Sequence, residues 1–302
     1  MGGEQMGLTE ELPGVMGEQP MGLLHPLLLG GTADYTYTAD DVAQLVNAVA
    51  VCIRLDIPYV VLGWGNAVTF TDSGFPGLVI YNRSRGIAWT ADRSQAVVDS
   101  GISLREMIVR LASKDLGGVV SFYSRQGSLG ASLALDEEVQ GQYLRTSVRY
   151  VTVLNPPDHR RPEPTVSRQP ISWLYAAKSF QRDAQPDISV HKPVIISATL
   201  QLTSLRQDEL MLKIKVAAQL ATKLPAHHFD PLWAPRLPLG HLVDVAPVGA
   251  FRFSRRLPGS VERLRGPATA HDLRELLEAG RAALSWESDE KGYFSSEFIG
   301  VW

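Results

Sequence analysis

Two glycine-rich segments carry the clearest chemical signal in this chain. Each follows an apolar stretch, and backbone without side chains can approach a ligand closely. The segments therefore predict close approach of the backbone to another group, and the alternative is a pair of tight turns that the fold itself requires. The candidate residues are Gly63, Gly65, Asn66, Gly127, Ser128 and Gly130.

Other reactive side chains give weaker signals. His227, His228 and Asp230 lack a second ligand pair at usable spacing, so a surface loop is favoured and no metal site is predicted. Cys52 lies in an apolar run of helical character, which indicates a half-buried helix residue rather than a nucleophile. A single cysteine also excludes an intramolecular disulfide framework.

Composition narrows the class of protein further. The chain has 302 residues, 45% of them hydrophobic and 20% charged, and a formal net charge of −3. A weakly acidic chain argues against a general nucleic-acid binder. The apolar stretch at 21–29 is short and contains Pro26, and the first basic residue is Arg54. Neither a bilayer span nor a signal peptide is therefore predicted, and we expect a cytoplasmic protein.

The segments that must position these residues alternate irregularly between helix and strand. Hydroxyl and carboxylate residues three apart predict helix starts at 38–41, 103–106 and 269–272. Continuous apolar runs predict strands, among them 57–62 and 193–202, and the short apolar C-terminus predicts a strand that returns to a sheet. Because no regular βαβ repeat emerges, the fold class is α+β.

Five segments in order resemble one family, the flavin-dependent UDP-N-acetylenolpyruvoylglucosamine reductases of peptidoglycan synthesis. The similar segments are 29–35, 57–67 with 72–80, 127–131, 194–202, and 268–273 with 296–300. The resemblance implies the FAD-binding fold of vanillyl-alcohol-oxidase-type enzymes, with two α+β subdomains and a reduced third, C-terminal substrate-type domain.

The resemblance also implies a division of the chain. We expect a flexible N-terminal tail at 1–21, a first FAD-binding subdomain at 22–80 joined by a strand at 294–302, a second at 81–223 with a Pro-rich loop at 155–170, and the reduced substrate-type domain at 224–293.

The resemblance implies that the two glycine-rich segments hold the pyrophosphate of FAD, because converging backbone N–H groups bind phosphate. In such a family FAD is reduced by NADPH and passes a hydride to the enolpyruvyl group of a UDP-sugar. The resemblance implies a Ser as proton donor, with an Arg and a Glu at the intermediate. Glu297 matches the Glu. The Arg position falls on Ala176, beside Tyr175 as a substrate contact, and the Ser position falls on Ala250.

Several departures from the family pattern touch the same sites. Trp64 and Ala67 alter the first glycine loop, and Asp136 and Glu138 place carboxylates where a diphosphate is expected. Substitute groups are available in the sequence: Lys178 or Arg252 as the cation, and Ser254 or Ser179 as the proton donor. A basic patch that includes Arg252 is predicted to hold a diphosphate, to face an acidic partner, or to be a solvated loop; its members are Arg252, Arg255, Arg256, Arg263 and Arg265.

Two hypotheses follow. The first is an FAD-dependent reductase of peptidoglycan precursor synthesis with a rearranged acid and cation, in which Glu297 is catalytic. The second is a non-catalytic descendant of the same fold that acts as a binding or regulatory partner in cell-wall synthesis or cell division, in which Glu297 is an ordinary charge on a terminal strand. Loss of a proton donor and a charge stabiliser typically costs several orders of magnitude in rate, which favours the second hypothesis for activity.

Overall fold

The computed structural model describes residues 2–23, 28–64, 68–139, 141–158, 161–176, 192–221, 239–256, 260–283 and 297–299. Within them the α-helices are α1 (Gly2–Glu11), α2 (Val42–Arg54), α3 (Leu104–Ala112), α4 (Leu129–Ala134), α5 (Ile171–Ala176), α6 (Gln207–Ala221) and α7 (Ala270–Ala283). The strands are β1 (Met16–Pro20), β2 (Thr32–Ala39), β3 (Tyr59–Leu62), β4 (Val68–Phe70), β5 (Phe75–Asn82), β6 (Ile87–Trp89), β7 (Gln95–Asp99), β8 (Leu116–Gly117), β9 (Glu138–Val139), β10 (Gln142–Tyr143), β11 (Val148–Asn155), β12 (Thr165–Pro170), β13 (Val194–Gln201), β14 (Thr203–Ser204), β15 (Phe251–Phe253), β16 (Val261–Arg263) and β17 (Glu297–Ile299).

Two sheets form the body of the molecule. The first has the order β1-β2-β5-β3, and its pairs β2–β5 and β3–β5 are parallel. The second has the order β12-β11-β13-β7-β6 and is antiparallel throughout. Because the sheets differ in type and the helices follow no regular crossover, the architecture is α+β, as the sequence predicted.

Helix α2 packs between the two sheets. Its apolar face lies in one core with strands β2 and β5 of the first sheet and with Leu154, Val194 and Ile196 of the second. Cys52 is fully buried on this face, rather than half-buried as expected, and burial raises the pKa of its thiol to about 12. A second core lies on the other face of the second sheet, against α3, α4, α5 and α6.

The N-terminus is part of the fold. We predicted a flexible tail at 1–21, but α1 packs beside α2, and Leu8 and Leu12 are buried in the α2 core. Strand β1 then pairs antiparallel with β2. The prediction was wrong because the glycine-rich composition obscured two leucines four residues apart, which place one apolar face on a helix.

Two of the predicted helix starts are confirmed. Ser103 caps α3 and accepts a hydrogen bond from the Glu106 amide at 3.1 Å. Thr269 and Asp272 bond each other's backbone amides at the start of α7, at 3.0 and 3.2 Å. The start predicted at 38–41 was wrong in its cap: Thr38 and Ala39 pair with strand β5, so the cap falls to Asp41.

A small third unit joins the first sheet. The hairpin β15–β16 and helix α7 share a core with Leu29 and Leu242. Asp72 links this unit to the sheet, because its carboxylate accepts hydrogen bonds from the first two amides of α7, at 2.9 and 3.1 Å. As predicted, the C-terminal segment returns as a strand: β17 pairs parallel with β4. None of the helices in the described part of the chain is both long and apolar enough to cross a bilayer.

Candidate functional site

A cleft lies where the two glycine-rich segments meet. One wall is the end of β3 with Gly63 and Trp64, and the other is the loop that leads into α4. The cleft encloses about 60 Å³, room for a few water molecules, since one water needs roughly 10–15 Å³. Its lining residues are Val61, Leu62, Gly63, Trp64, Val68, Gln126, Gly127, Ala131, Ser132, Leu135 and Glu137.

Gly63 brings the two walls into contact. A Cβ at this position would overlap the side chain of Ser128, so only glycine fits here. The carbonyl of Gly63 accepts a hydrogen bond from the guanidinium of Arg83. The predicted cofactor contacts Gly65 and Asn66 lie outside the described residues, as does Ala67.

An arginine that sequence reasoning missed holds the first wall in place. The Arg83 guanidinium carbon lies 4.8 Å from the ring centroid of Trp64 and 5.5 Å from that of Tyr81. Partial burial lowers the pKa of Arg83. The signal available in the sequence was its place directly after strand β5, which ends at the same sheet edge as neighbouring, parallel β3.

The second glycine-rich loop uses its glycines for packing and conformation. Gly127 has φ of 144°, a conformation that side chains disfavour. A Cβ at Gly130 would lie 2.9 Å from the Cβ of Ser100, so α4 packs directly on the end of β7. Ser128 is buried and caps α4, with its hydroxyl accepting a hydrogen bond from the Ala131 amide at 3.3 Å.

The first four backbone amides of α4 are already bonded within the protein. Leu129 donates to the Ile102 carbonyl at 3.0 Å and Gly130 to the Ser100 carbonyl at 2.8 Å. Ala131 donates to the Ser128 hydroxyl, and Ser132 to the Ser128 carbonyl at 3.0 Å. The hydroxyl of Ser132 is a different case: it is buried in the cleft wall, and no hydrogen-bond partner for it lies among the described residues.

The acidic residues after the loop have a partner that the sequence did not indicate. Asp136 forms an ion pair with Arg145, so its charge does not stand alone against a diphosphate as expected. Arg145 also lies 3.9 Å from the ring centroid of Tyr143 and 5.1 Å from that of Tyr175. Glu137 lines the cleft, whereas the side chain of Glu138 is outside the described part.

Tyr175, predicted as a substrate contact, is bonded within the protein beside the second sheet. Its hydroxyl donates to the Leu133 carbonyl at 3.1 Å, and its ring packs against the core of the second sheet. Burial raises the pKa of Tyr175 to about 12, with Arg145 opposing the rise. The predicted cation Lys178 and the alternative donor Ser179 lie in 177–191, outside the described residues.

Arg252, Ser254 and Glu262 form one cluster on the β15–β16 hairpin. Nε and Nη2 of Arg252 donate to Oε2 of Glu262 at 3.2 and 3.1 Å. The Ser254 hydroxyl donates to Oε1 of the same carboxylate. The Ser254 bond, followed by Arg252, lowers the pKa of Glu262. Ala250, at the position of the implied proton donor, is buried beside the hairpin.

The strand register gives the backbone position of Glu297. It lies at the start of β17, at the register position opposite Val68, and Val68 lines the cleft. The sequence therefore predicted correctly that this segment returns to a sheet as a strand. The described residues contain no group of three or more His, Cys, Asp or Glu that could hold a metal ion.

Comparisons with known proteins identify the fold and the proteins that this chain resembles. No family model matches the chain. The UDP-N-acetylenolpyruvoylglucosamine reductase of Chlamydia muridarum is 27% identical over 184 residues, 61% of this chain and 58% of that protein. The reductase of Syntrophomonas wolfei is 23% identical over 276 residues, 87% and 88% of the two chains. The crystal structure of UDP-N-acetylenolpyruvylglucosamine reductase from Thermus caldophilus aligns with a TM-score of 0.68 at 18% identity, covering 95% of this chain and 99% of that one.

The α+β architecture with two glycine-rich loops on one cleft is the fold of the UDP-N-acetylenolpyruvylglucosamine reductase structure, as the sequence predicted. Within that fold, the chain is similar in sequence to the UDP-N-acetylenolpyruvoylglucosamine reductases, at 23–27% identity. The matches to the first curated relatives span less than two thirds of their length, 58% and 64%.

Proposed function

We propose that this chain keeps the reductase fold without the reductase chemistry. It acts in the cytoplasm as a non-catalytic binding or regulatory partner in cell-wall precursor synthesis or cell division. The observation that carries the proposal is Ala250, a buried methyl group where the family pattern implies the proton-donating Ser. A methyl group cannot protonate the carbon next to the site of hydride addition, and loss of a positioned acid costs roughly 10²–10⁴ in rate.

The described groups that could substitute for the lost acid and cation are already bonded. The hydroxyl of Ser254 donates to Glu262, and Arg252 donates twice to the same carboxylate. Recruiting either one to a substrate would break this cluster and leave the Glu262 charge with fewer partners. Tyr175 is likewise bonded to a backbone carbonyl rather than turned to a ligand.

A second candidate function is the reductase reaction itself. It would use FAD and NADPH on the enolpyruvyl ether of UDP-N-acetylglucosamine, with Lys178 or Arg252 as the cation. The register of β17 favours it, because Glu297 starts its strand opposite a residue that lines the cleft. The names of the curated relatives support the same reading.

Steady-state NADPH oxidation separates the two functions. The purified chain is mixed with FAD, NADPH and enolpyruvyl-UDP-N-acetylglucosamine, and Glu297→Gln is assayed beside it. We expect both proteins to match the protein-free background. Substrate-dependent oxidation that Glu297→Gln abolishes would refute the proposal and establish the reductase.

A test in the host cell addresses the partner role. The chromosomal gene is replaced by Glu297→Gln or by Gly130→Val, which disrupts packing of the second loop against Ser100. A non-catalytic partner needs its fold and not its carboxylate. We therefore expect normal growth and cell shape with Glu297→Gln and the deletion phenotype with Gly130→Val. A deletion phenotype from Glu297→Gln, with the protein at normal abundance, would argue for catalysis.

A further inference from the structure

FAD carries a diphosphate, and the family fold implies that the cleft should hold it. A buried diphosphate needs converging N–H donors or cations, because two negative charges must be compensated once they leave water. The described walls of the cleft can be tested for such donors, residue by residue.

The first turn of α4, which follows the second loop, has no amide left for a phosphate. The four consecutive N–H groups from Leu129 to Ser132 bond to Ile102, Ser100 and Ser128. The Gly127 carbonyl also accepts from the Leu104 amide at 3.0 Å, which fixes the loop against α3. A phosphate could take these amides only by breaking the two bonds that join α4 to the residues after β7, or the two bonds to its cap Ser128.

The two loops also contact each other where a diphosphate would have to pass between them. The Ser128 side chain occupies the space directly against Gly63. It cannot swing away at low cost, because its hydroxyl caps α4 and its backbone bridges Ser103.

The charge of the cleft is unfavourable as well. Among the lining residues the ionisable side chain is Glu137, an acid. Arg83, the cation beside the first loop, is not a lining residue; it lies over Trp64 and donates to the Gly63 carbonyl. A carboxylate and a diphosphate repel each other at close range.

The size of the cleft agrees with this. About 60 Å³ is well below the roughly 300–1,000 Å³ of pockets that bind drug-sized ligands, and FAD is larger than most of those. The buried Ser132 hydroxyl is one donor without a described partner, which is too little for a diphosphate.

We infer that the described walls of this cleft do not fit FAD, and that this chain is a member of a flavin-binding family that holds no flavin. The contact between Gly63 and Ser128, the bonded amides of the first turn of α4 and the carboxylate of Glu137 together oppose binding of the diphosphate. The inference concerns binding and stands apart from the loss of catalysis proposed above.

Flavin retention tests the inference directly. The full-length protein is incubated with excess FAD and desalted, and its visible absorbance and its Tm with and without FAD are compared with those of a known flavoprotein treated identically. We expect a colourless protein and an unchanged Tm. Retained flavin, or a Tm that rises with FAD concentration, would overturn the inference.

A charge variant separates repulsion by Glu137 from the lack of free amides as the reason that FAD does not bind. Glu137→Gln removes the acid from the wall and leaves the loop amides bonded, and Glu278→Gln on the exposed face of α7 is its control. We expect no flavin retention by either protein. If Glu137→Gln retains FAD, charge alone had excluded the cofactor and the argument from the amides is wrong. Flavin binding without NADPH oxidation would overturn this inference and leave the proposed function intact.

Discussion

In the second glycine-rich loop and in the C-terminal hairpin, polar groups that could bind a ligand are bonded within the protein, but the bonded groups are of different kinds. In the loop, polar backbone groups are bonded to the protein: Leu129 and Gly130 donate to the carbonyls of Ile102 and Ser100. In the hairpin, polar side chains are bonded to one another around Glu262. Both regions therefore keep the residue types of a binding site while the groups that would bind are in use elsewhere.

The difference between them lies in burial and in cost. The loop bonds are buried and support the packing of α4 on the second sheet, whereas the Arg252–Glu262 pair is 40% and 33% exposed. Leaving a buried backbone group without its hydrogen-bond partner costs about 1–3 kcal/mol of stability, whereas an exposed ion pair contributes about 0–1 kcal/mol. The loop should thus be the rigid part of the site and the hairpin the part that a ligand or a few mutations could reopen.

Gly130→Val should have the largest effect. The valine Cβ would lie 2.9 Å from the Cβ of Ser100, and forced overpacking of this kind costs about 3 kcal/mol. Urea unfolding followed by circular dichroism measures the change. Gly17→Ala is the control, because the nearest atom to its Cβ is 3.9 Å away. Equal stabilities of the two variants would mean that the loop is not packed as described.

Ser128→Ala removes the cap of α4 and the hydroxyl that contacts Gly63. Loss of a helix N-cap lowers the free energy of unfolding by about 1 kcal/mol, and we expect a loss of that size here because the cap is buried, so water cannot replace its hydroxyl. Ser103→Ala, which removes the corresponding cap of α3, is the matched comparison. The urea midpoint of each variant should fall below that of wild type, and an unchanged midpoint for Ser128→Ala would contradict its capping role.

Sequence reasoning located both glycine-rich loops and the returning strand, because those features are local and periodic. It could not identify which charged side chains form ion pairs with one another. From the sequence, the carboxylate of Asp136 is expected to repel a diphosphate, yet Arg145 on the other side of a short hairpin forms an ion pair with it. From the sequence, Arg252 is expected to bind a substrate or a diphosphate, yet it forms an ion pair with Glu262, its cross-strand neighbour in the β15–β16 hairpin. In both cases the decisive contact depends on how strands pair, which composition and spacing do not specify.

Tyr175→Phe tests a side chain that the family pattern placed at the substrate. Removing the hydroxyl takes one of two donors from the Leu133 carbonyl, which still accepts from the Asp136 amide at 3.1 Å, so we expect a cost of about 1 kcal/mol or less. The pKa of Tyr175 is raised to about 12 by burial. Stability from the neutral phenol is therefore complete below the ordinary value of about 10 and is lost as pH rises through 12.

Tm measured across that alkaline range should fall more steeply for wild type than for Tyr175→Phe. The comparison with the variant is needed because burial also raises the pKa of Tyr37, Tyr59 and Tyr81. Parallel curves for the two proteins would contradict the buried position of Tyr175.

Glu262→Gln should have the smallest effect, about 0.5 kcal/mol or less, because an exposed ion pair contributes little. Its sign can be checked by pH. The pKa of Glu262 is lowered by Ser254 and Arg252, so the stabilisation is present above the ordinary glutamate value and is lost as pH falls through the lowered one. Unfolding midpoints of wild type and variant should then converge in acid. Glu278→Gln, which breaks the exposed pair with Arg274 on α7, is the control. A loss as large as that of Gly130→Val would show that the hairpin is as rigid as the loop, and the contrast between the two regions would fail.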